Sequence, residues 1–363
     1  MSPVSQTADV PIPPDLSRRY GHSTGGRAWL ASLPGLIAQR LECWELDVDL
    51  EPGALPWNGH GGIVIPVRRR PDGVAAALKI AFPHDEATRE RHALTLWDGR
   101  GAVRLLAADA ESCALLLERL DASRSLLDIP VEAAVPVWGD LVRQLSLAPD
   151  ARSEWRDIDH VAARAEQWSD ELPQMWEQLE RPFPRWLLEA ALEVCQTRGA
   201  VGRRSGVDVL VHTDLHYLNI LARPAVPGTQ GRAPQRHGQA SPENYAAIDP
   251  QPMIGEAEFA VTPVLRNRIR ELPWRDSGRA LLARCRDFSE AAGLDAETAR
   301  QWSLAREVED ALQYALQRRD GDVLRSLWVA STLAGRTLPG LPGPQELPAP
   351  GEAAAPSSGR HFS

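Results

Sequence analysis

The spacing of apolar residues changes character once along this chain, near residue 122, and that change limits the folds open to it. Ahead of it lie short apolar runs bounded by turn residues, at 44–50, 63–67, 74–80, 102–106 and 113–118. Trp44-Glu45-Leu46-Asp47-Val48-Asp49-Leu50 alternates apolar and acidic residues, the period-two pattern of a half-buried strand. Pro66 marks the second run as an edge strand. Helical spacing interrupts the runs at 26–41 and again from Asp85, the expected N-cap, to Trp97. Beyond Ser123 apolar residues recur at three and four, as in Leu187, Leu188, Ala191, Leu192 and Cys195. They predict helices over 131–147, 158–180, 185–198, 274–292, 296–318 and 320–335. Strands grouped ahead of helices predict a bilobal α+β chain. Its N-terminal lobe, 21–121, would be a five-stranded antiparallel sheet plus a helix, and its C-terminal lobe, 122–338, mainly helical. Residues 1–20 are expected to be flexible and the Pro-, Gly-, Ala- and Ser-rich residues 339–363 to form a disordered tail.

One stretch breaks the run of helices. Val207-Asp208-Val209-Leu210-Val211 reads as a buried strand and leads into His212-Thr213-Asp214-Leu215-His216-Tyr217-Leu218-Asn219. A Gly-, Pro-, Gln- and Arg-rich insertion at 224–242, expected to be a mobile surface loop, separates it from a second run, Tyr245-Ala246-Ala247-Ile248, that delivers Asp249. An Asp that accepts a hydroxyl proton, an Asn five residues on that ligates magnesium, and a later Asp at a strand end that bridges metal and phosphates make up a phosphoryl-transfer site. Asp214, Asn219 and Asp249 fit those roles in order. Magnesium takes hard oxygen donors and keeps several waters, so one amide and one carboxylate suffice. Read alone, the same residues allow another chemistry, in which His212, Asp214 and His216 ligate a transition metal in a hydrolase.

The N-terminal third supplies what a hydrolase would not use. Trp57-Asn58-Gly59-His60-Gly61-Gly62 is a glycine-rich loop of the kind whose backbone approaches phosphates, or an ordinary hairpin. In the third strand, Val74 to Ile80, Ala75, Ala77 and Lys79 share one face, and Ala76, Leu78 and Ile80 the other. Ala76-Ala77-Leu78-Lys79 reads as a kinase phosphate-pairing strand. Glu90 lies three, four and seven residues before Ala93, Leu94 and Trp97, on the apolar face of its helix, where a charge needs a partner. Lys79 is the natural one, with Glu86 one turn earlier as the fallback. Glu118-Arg119-Leu120-Asp121 falls where a hinge offers backbone groups to adenine, which places Glu118 and Leu120 at the nucleotide. Glu256 and Glu258 follow the metal strand and would either meet a cationic group of the substrate or stand exposed in a loop.

A chain of 363 residues with 43% hydrophobic content can bury two cores, and a net charge of −9 argues against nucleic acid while suiting a cationic small-molecule substrate. Four widely spaced cysteines without a CxxC pair point to a reducing compartment. No signal core and no run near ~18 apolar residues occurs, so the chain is expected to be soluble and cytoplasmic, with no membrane partner.

Taken together, these runs resemble the aminoglycoside phosphotransferase family, in its streptomycin 6-kinase and hydroxyurea-resistance kinase branch. The residues that carry the likeness are Ala77-Leu78-Lys79, Leu96 to Leu106, Leu115 to Leu120, Val211 to His216 with Asn219, and Ala247-Ile248-Asp249-Pro250. The resemblance implies a protein-kinase-like fold, ATP and magnesium as cofactors, and transfer of the γ-phosphate to an antibiotic hydroxyl. It implies Asp214 as base, Asn219 and Asp249 as magnesium ligands, Lys79 as the phosphate contact with Glu90 its partner, and His212 as a brace of the loop. His216 matches a frequent family residue of unassigned role. Thr213 stands where the family often has glycine and Gln251 where it commonly has lysine, departures that bear on which acceptor is used. A kinase of hydroxyurea or of another metabolite, and a non-catalytic nucleotide-binding module, are the alternatives.

Overall fold

The computed structural model describes residues 10–59, 61–203, 206–224 and 244–352. Two helices open the chain, α1 (Pro14–Tyr20) and α2 (Thr24–Cys43). Next come strands β1 (Leu46–Val48), β2 (Trp57–Asn58), β3 (Gly62–Arg69) and β4 (Ala75–Ala81), helix α3 (Asp85–Trp97), and strands β5 (Leu105–Asp109) and β6 (Ala114–Glu118). They form one antiparallel sheet in the order β1-β3-β4-β6-β5, with β2 added against β3. The sheet thus has the five strands expected and a sixth, β2, whose two residues are too few to show a period. The fourth expected strand starts at Leu105 rather than 102.

The faces of β4 divide as the alternation predicts. Ala76, Leu78 and Ile80 pack with Leu33, Ile37 and Leu41 of α2 in one core, whereas Ala77 packs with Leu115 and Leu117 in a second core that continues into the helical lobe. Pro66 does not mark an edge, because β3 lies between β1 and β4. The Pro66 carbonyl accepts from Asp49 N at 2.8 Å, just past the end of β1, so its missing N–H falls where that ladder has ended. Residues 14–20, expected to be flexible, are helical: Leu16 is fully buried and Tyr20 stacks on Phe82 at 4.9 Å. Seven residues are too short to show helical periodicity, and packing decides. The N-cap of α3 is His84, not Asp85; its Nδ1 accepts from Ala87 N at 3.2 Å.

After the hinge, strand β7 (Asp121–Ser125) precedes helices α4 (Val131–Leu145), α5 (Val161–Gln178) and α6 (Arg185–Arg198). Strands β8 (Val209–His212), β9 (Ile220–Ala222), β10 (Tyr245–Ala247) and β11 (Pro252–Gly255) follow. Helices α7 (Thr262–Arg266), α8 (Ser277–Ala292), α9 (Ala296–Leu316) and α10 (Asp320–Leu333) complete the lobe. The segment after 338 is held on this lobe as far as it is described: Leu347 is buried, and Gln345 donates to the Leu272 carbonyl at 2.6 Å. Proline-rich composition concealed that anchoring. Apart from Pro224, the insertion expected to be a mobile loop lies outside the described residues. Among the described residues no helix is long and apolar enough to cross a membrane.

Candidate active site

Two small antiparallel ladders assemble the predicted residues. In the first, β8 pairs β11 with His212 opposite Pro252, and Thr213 N donates to the Gln251 carbonyl at 2.9 Å. In the second, β10 pairs β9 with Ala247 opposite Ile220, and Ile248 N donates to the Asn219 carbonyl at 2.9 Å. The turn carrying Asp214 and Asn219 and the turn carrying Asp249 are therefore each fastened to the other twice, once on either side. Asp249 adopts φ 53°, a left-handed conformation uncommon outside glycine and frequent at functional sites. Its strand is clamped from the N-terminal lobe, because Val103 N donates to the Ala247 carbonyl at 2.8 Å.

Lys79 reaches this turn from the sheet. Its Nζ lies 2.6 and 2.7 Å from the Glu90 carboxylate oxygens and 2.5 Å from Asp249 Oδ1. Lys79 and Glu90 are 7% and 6% exposed, so the helix glutamate on the apolar face has the partner its burial demands, and the fallback Glu86 does not take the place. Burial disfavours the ammonium, but Glu90 and Asp249 outweigh it and hold Lys79 above its ordinary pKa. The Lys79 charge in turn holds the Asp249 carboxyl below the usual range, against the effect of burial. The glycine-rich loop lies over this point: a Cβ built on Gly59 would stand 3.7 Å from Asp249 Oδ2.

His212 is buried, and both of its nitrogens are engaged. Nδ1 accepts from Asp214 N at 3.3 Å, so Nε2 carries the proton toward the Ile248 carbonyl at 3.1 Å. Burial lowers its pKa, which keeps the ring neutral. It thus ties the Asp214 turn to the residue before Asp249 and has no lone pair left for a metal. Trp97 stacks on it at 6.2 Å. The Asn219 amide nitrogen donates to the Asp214 carbonyl at 3.0 Å, which leaves the amide oxygen as its ligand atom. His216 Nε2 is 3.7 Å from Asp214 Oδ2, within ion-pair reach when protonated.

The hard-donor test for magnesium is met by that set: an amide oxygen on Asn219 and a carboxylate on Asp249, the few protein oxygens this ion takes beside phosphates. Among the described residues no group of three or more His, Cys, Asp or Glu forms a metal cluster of its own.

Other predicted residues stand elsewhere. Glu118 ends β6; its carboxylate accepts from Arg104 N at 2.9 Å and pairs with Arg223 at 2.5 Å, while Leu120 is buried. Glu256, 2% exposed, accepts from Trp302 Nε1 at 2.8 Å and lies 3.5 Å from Arg198, so it faces the helical core rather than a ligand. Glu258 accepts from Asp295 N at the start of α9, at 3.1 Å. Sequence reading missed Arg306 of α9. Its pKa is lowered by burial, with the Asp310 and Asp214 carboxylates acting the other way, and its guanidinium packs 4.6 Å over the Phe259 ring. No local pattern marks it.

Comparison with known proteins agrees with this geometry. Residues 48–171 match a family model described as aminoglycoside/hydroxyurea antibiotic resistance kinase. Over 308 residues the chain is 34% identical to streptomycin 6-kinase of Streptomyces glaucescens, covering 84% of this chain and 90% of that one. The chain belongs to the aminoglycoside/hydroxyurea antibiotic resistance kinase family. As a member it is a phosphotransferase. Hydroxyurea phosphotransferase of Kitasatospora aureofaciens is 36% identical over 341 residues, 91% of this chain and 87% of its own. Among solved structures, the GDP complex of a mutant aminoglycoside 2'-phosphotransferase-IIIa superposes with a TM-score of 0.51 at 13% identity, over 82% of this chain and 95% of that one. The family fold is protein-kinase-like, as the resemblance implied.

Proposed function

We propose that the chain is an ATP- and magnesium-dependent O-phosphotransferase that moves the γ-phosphate of ATP to a hydroxyl of a streptomycin-type aminoglycoside. The observation that carries this is the single constellation in which Lys79 bonds both Glu90 and Asp249 while Asp249 is laced by backbone bonds to the Asp214–Asn219 turn. In this reading Asp214 accepts the proton of the acceptor hydroxyl as that oxygen bonds the terminal phosphorus and the bond to ADP breaks. Asn219 and Asp249 would hold magnesium, which would supply neutralisation of the charge on the phosphates. Lys79 pairs the phosphates and Glu90 orients Lys79. Backbone groups from Glu118 to Leu120 meet the adenine, since the Glu118 side chain is engaged by Arg104 and Arg223. Catalysis is then positioning and electrostatic stabilisation, with little covalent chemistry left to the protein.

Family relatives acting on streptomycin and on hydroxyurea support both acceptors; a net charge of −9 favours the cationic one. The test is ADP release from ATP and magnesium against a panel of streptomycin, other aminoglycosides and hydroxyurea, beside Asp214→Ala. Streptomycin-dependent turnover lost in the variant is the expected result. Turnover with hydroxyurea alone transfers the reading to that acceptor, and no turnover with intact folding overturns it.

A further inference from the structure

A cleft of about 610 Å3 opens beside the catalytic turn, lined at its inner end by Thr213 and Gln251, which are joined by the Thr213 N and Oγ1 bonds to the Gln251 carbonyl. Thr213 precedes Asp214 and Gln251 lies two residues past Asp249, so an acceptor whose hydroxyl stands between those two carboxylates has this space for the rest of its body. The cleft is walled by the first two turns of α3, by residues 156–160 and by α5. Five of its charged groups matter. Arg89 pairs with Asp159 at 2.9 Å, and Arg164 pairs with Glu309 at 3.3 Å, so those two guanidiniums already have partners. Glu86 of α3 and Arg156 of the segment packed beside it make no ion pair among the described residues.

Resting on the reading of the site as an aminoglycoside kinase, we propose that Glu86 is a specificity-determining residue whose carboxylate holds a guanidinium or ammonium group of the acceptor. A carboxylate that has no ion-pair partner among the described residues and faces a polar cleft gains most from a cation that brings two parallel N–H donors, as a guanidinium does. Arg156, on the segment beside α3, would then donate to acceptor oxygens, so that the cleft fits a hydroxyl-rich molecule with one cationic end turned toward Glu86. Glu86 lies four residues, one helical turn, before Glu90 on the same helix. The element that orients Lys79 is therefore also a wall of the acceptor pocket. Glu256 and Glu258, the acids expected to do this, are engaged within the helical lobe instead.

The experiment is steady-state kinetics of the full chain and of Glu86→Gln and Glu86→Asp, each with streptomycin and with uncharged hydroxyurea, backed by calorimetric binding of streptomycin. Glu86→Gln should lower the ratio of kcat/KM for streptomycin to that for hydroxyurea about ten-fold, mainly through KM, the order expected for one partly exposed charge-assisted contact. Glu86→Asp should recover part of the ratio. An unchanged ratio in Glu86→Gln overturns the inference, as does a matching rise in the KM for ATP, which would mean Glu86 acts through Lys79 and Glu90. A wild-type chain that turns over neither streptomycin nor hydroxyurea but does turn over another aminoglycoside keeps the kinase reading and overturns this inference, and one that turns over no acceptor of the wider panel defeats both. A wild-type chain that phosphorylates hydroxyurea yet binds no streptomycin keeps the kinase reading and discards this one.

Discussion

Lys79 and Asp214 belong to the same site, and their surroundings differ. The Lys79 side chain is 9% exposed and held by two carboxylates at 2.7 Å or less; that of Asp214 is 40% exposed, with the His216 ring nitrogen 3.7 Å away. In the proposed reading the phosphate end is the closed ion network of Lys79, Glu90 and Asp249. The proposed acceptor end is open, and its polar groups come from α3, α5 and the 156–160 segment. Phosphate is common to every reaction a kinase performs, whereas the acceptor differs between relatives as similar as a streptomycin kinase and a hydroxyurea kinase. Enclosure follows what stays constant.

The sharpest way to break that contrast is to remove the chemistry at the open end without touching the closed one. Asp214→Asn keeps the backbone bond to His212 and the carbonyl that accepts from Asn219. It should lower kcat by about 10²–10⁴ fold, the usual worth of a general base, with nucleotide affinity by calorimetry unchanged. Activity retained within a few-fold would place the proton acceptor elsewhere.

The converse substitution tests the closed end through stability. Lys79→Met leaves Glu90 buried without its cation, and about 3–5 kcal/mol of unfolding free energy should be lost, measured by urea denaturation at neutral pH. Lys79→Met with Glu90→Leu should regain most of that stability and none of the activity. If the single variant is as stable as wild type, the network is not the buried pair that the geometry depicts.

This division also decided what could be read from the sequence. That Lys79, Glu90, Asp214, Asn219 and Asp249 would come together was legible because each proposed role demands a residue type at a fixed place on a strand, helix or turn. Helix α6 was legible to the residue, since its apolar spacing runs unbroken from Arg185 to Arg198. What could not be read depends on contacts between distant segments. The His212 to Ile248 bond spans 36 residues, and the inward turn of Glu256 depends on Trp302, 46 residues on. Helix α1 and the anchored segment around Leu347 lacked periodicity, and only the surfaces they cover reveal them.

The two ends should also differ in how they answer to pH. Lys79 is held above its ordinary value and stays charged through the neutral range. Behind the open end, burial pushes Glu309 up to about 7, with Asp310 adding to it and Arg164 opposing. An unfolded chain releases this proton near 4.5 and the folded one near 7, so the folded state binds the extra proton between those values. Stability from this group is therefore full below pH 4.5, falls as pH rises toward 7, and is flat beyond. Glu309→Gln should remove on the order of 1–3 kcal/mol of that fall, read as urea midpoints at pH 5 and pH 8. Glu307, also pushed up to about 7, keeps part of the slope in the variant. A slope unchanged by the substitution would show that Glu309 titrates in its ordinary range.

The smallest effect concerns the element both ends share. Helix α3 carries Glu90 to Lys79 and Glu86 to the cleft, and its first turn is closed by the His84 ring accepting from Ala87 N. An N-cap side chain satisfies one of the helix's unpaired donors, so His84→Ala should cost about 0.5–2 kcal/mol, and His84→Ser, a better cap, should restore it. Because a helix frays from its end, the loosened turn is the one bearing Glu86, whereas Glu90 is pinned by its two bonds to Lys79. Hydrogen exchange should therefore quicken at Ala87 and Thr88 and stay slow at Ala93 and Leu94. Exchange that quickens along the whole helix would mean that the Lys79 pair does not hold α3 by itself and that the two ends of the site share one stability.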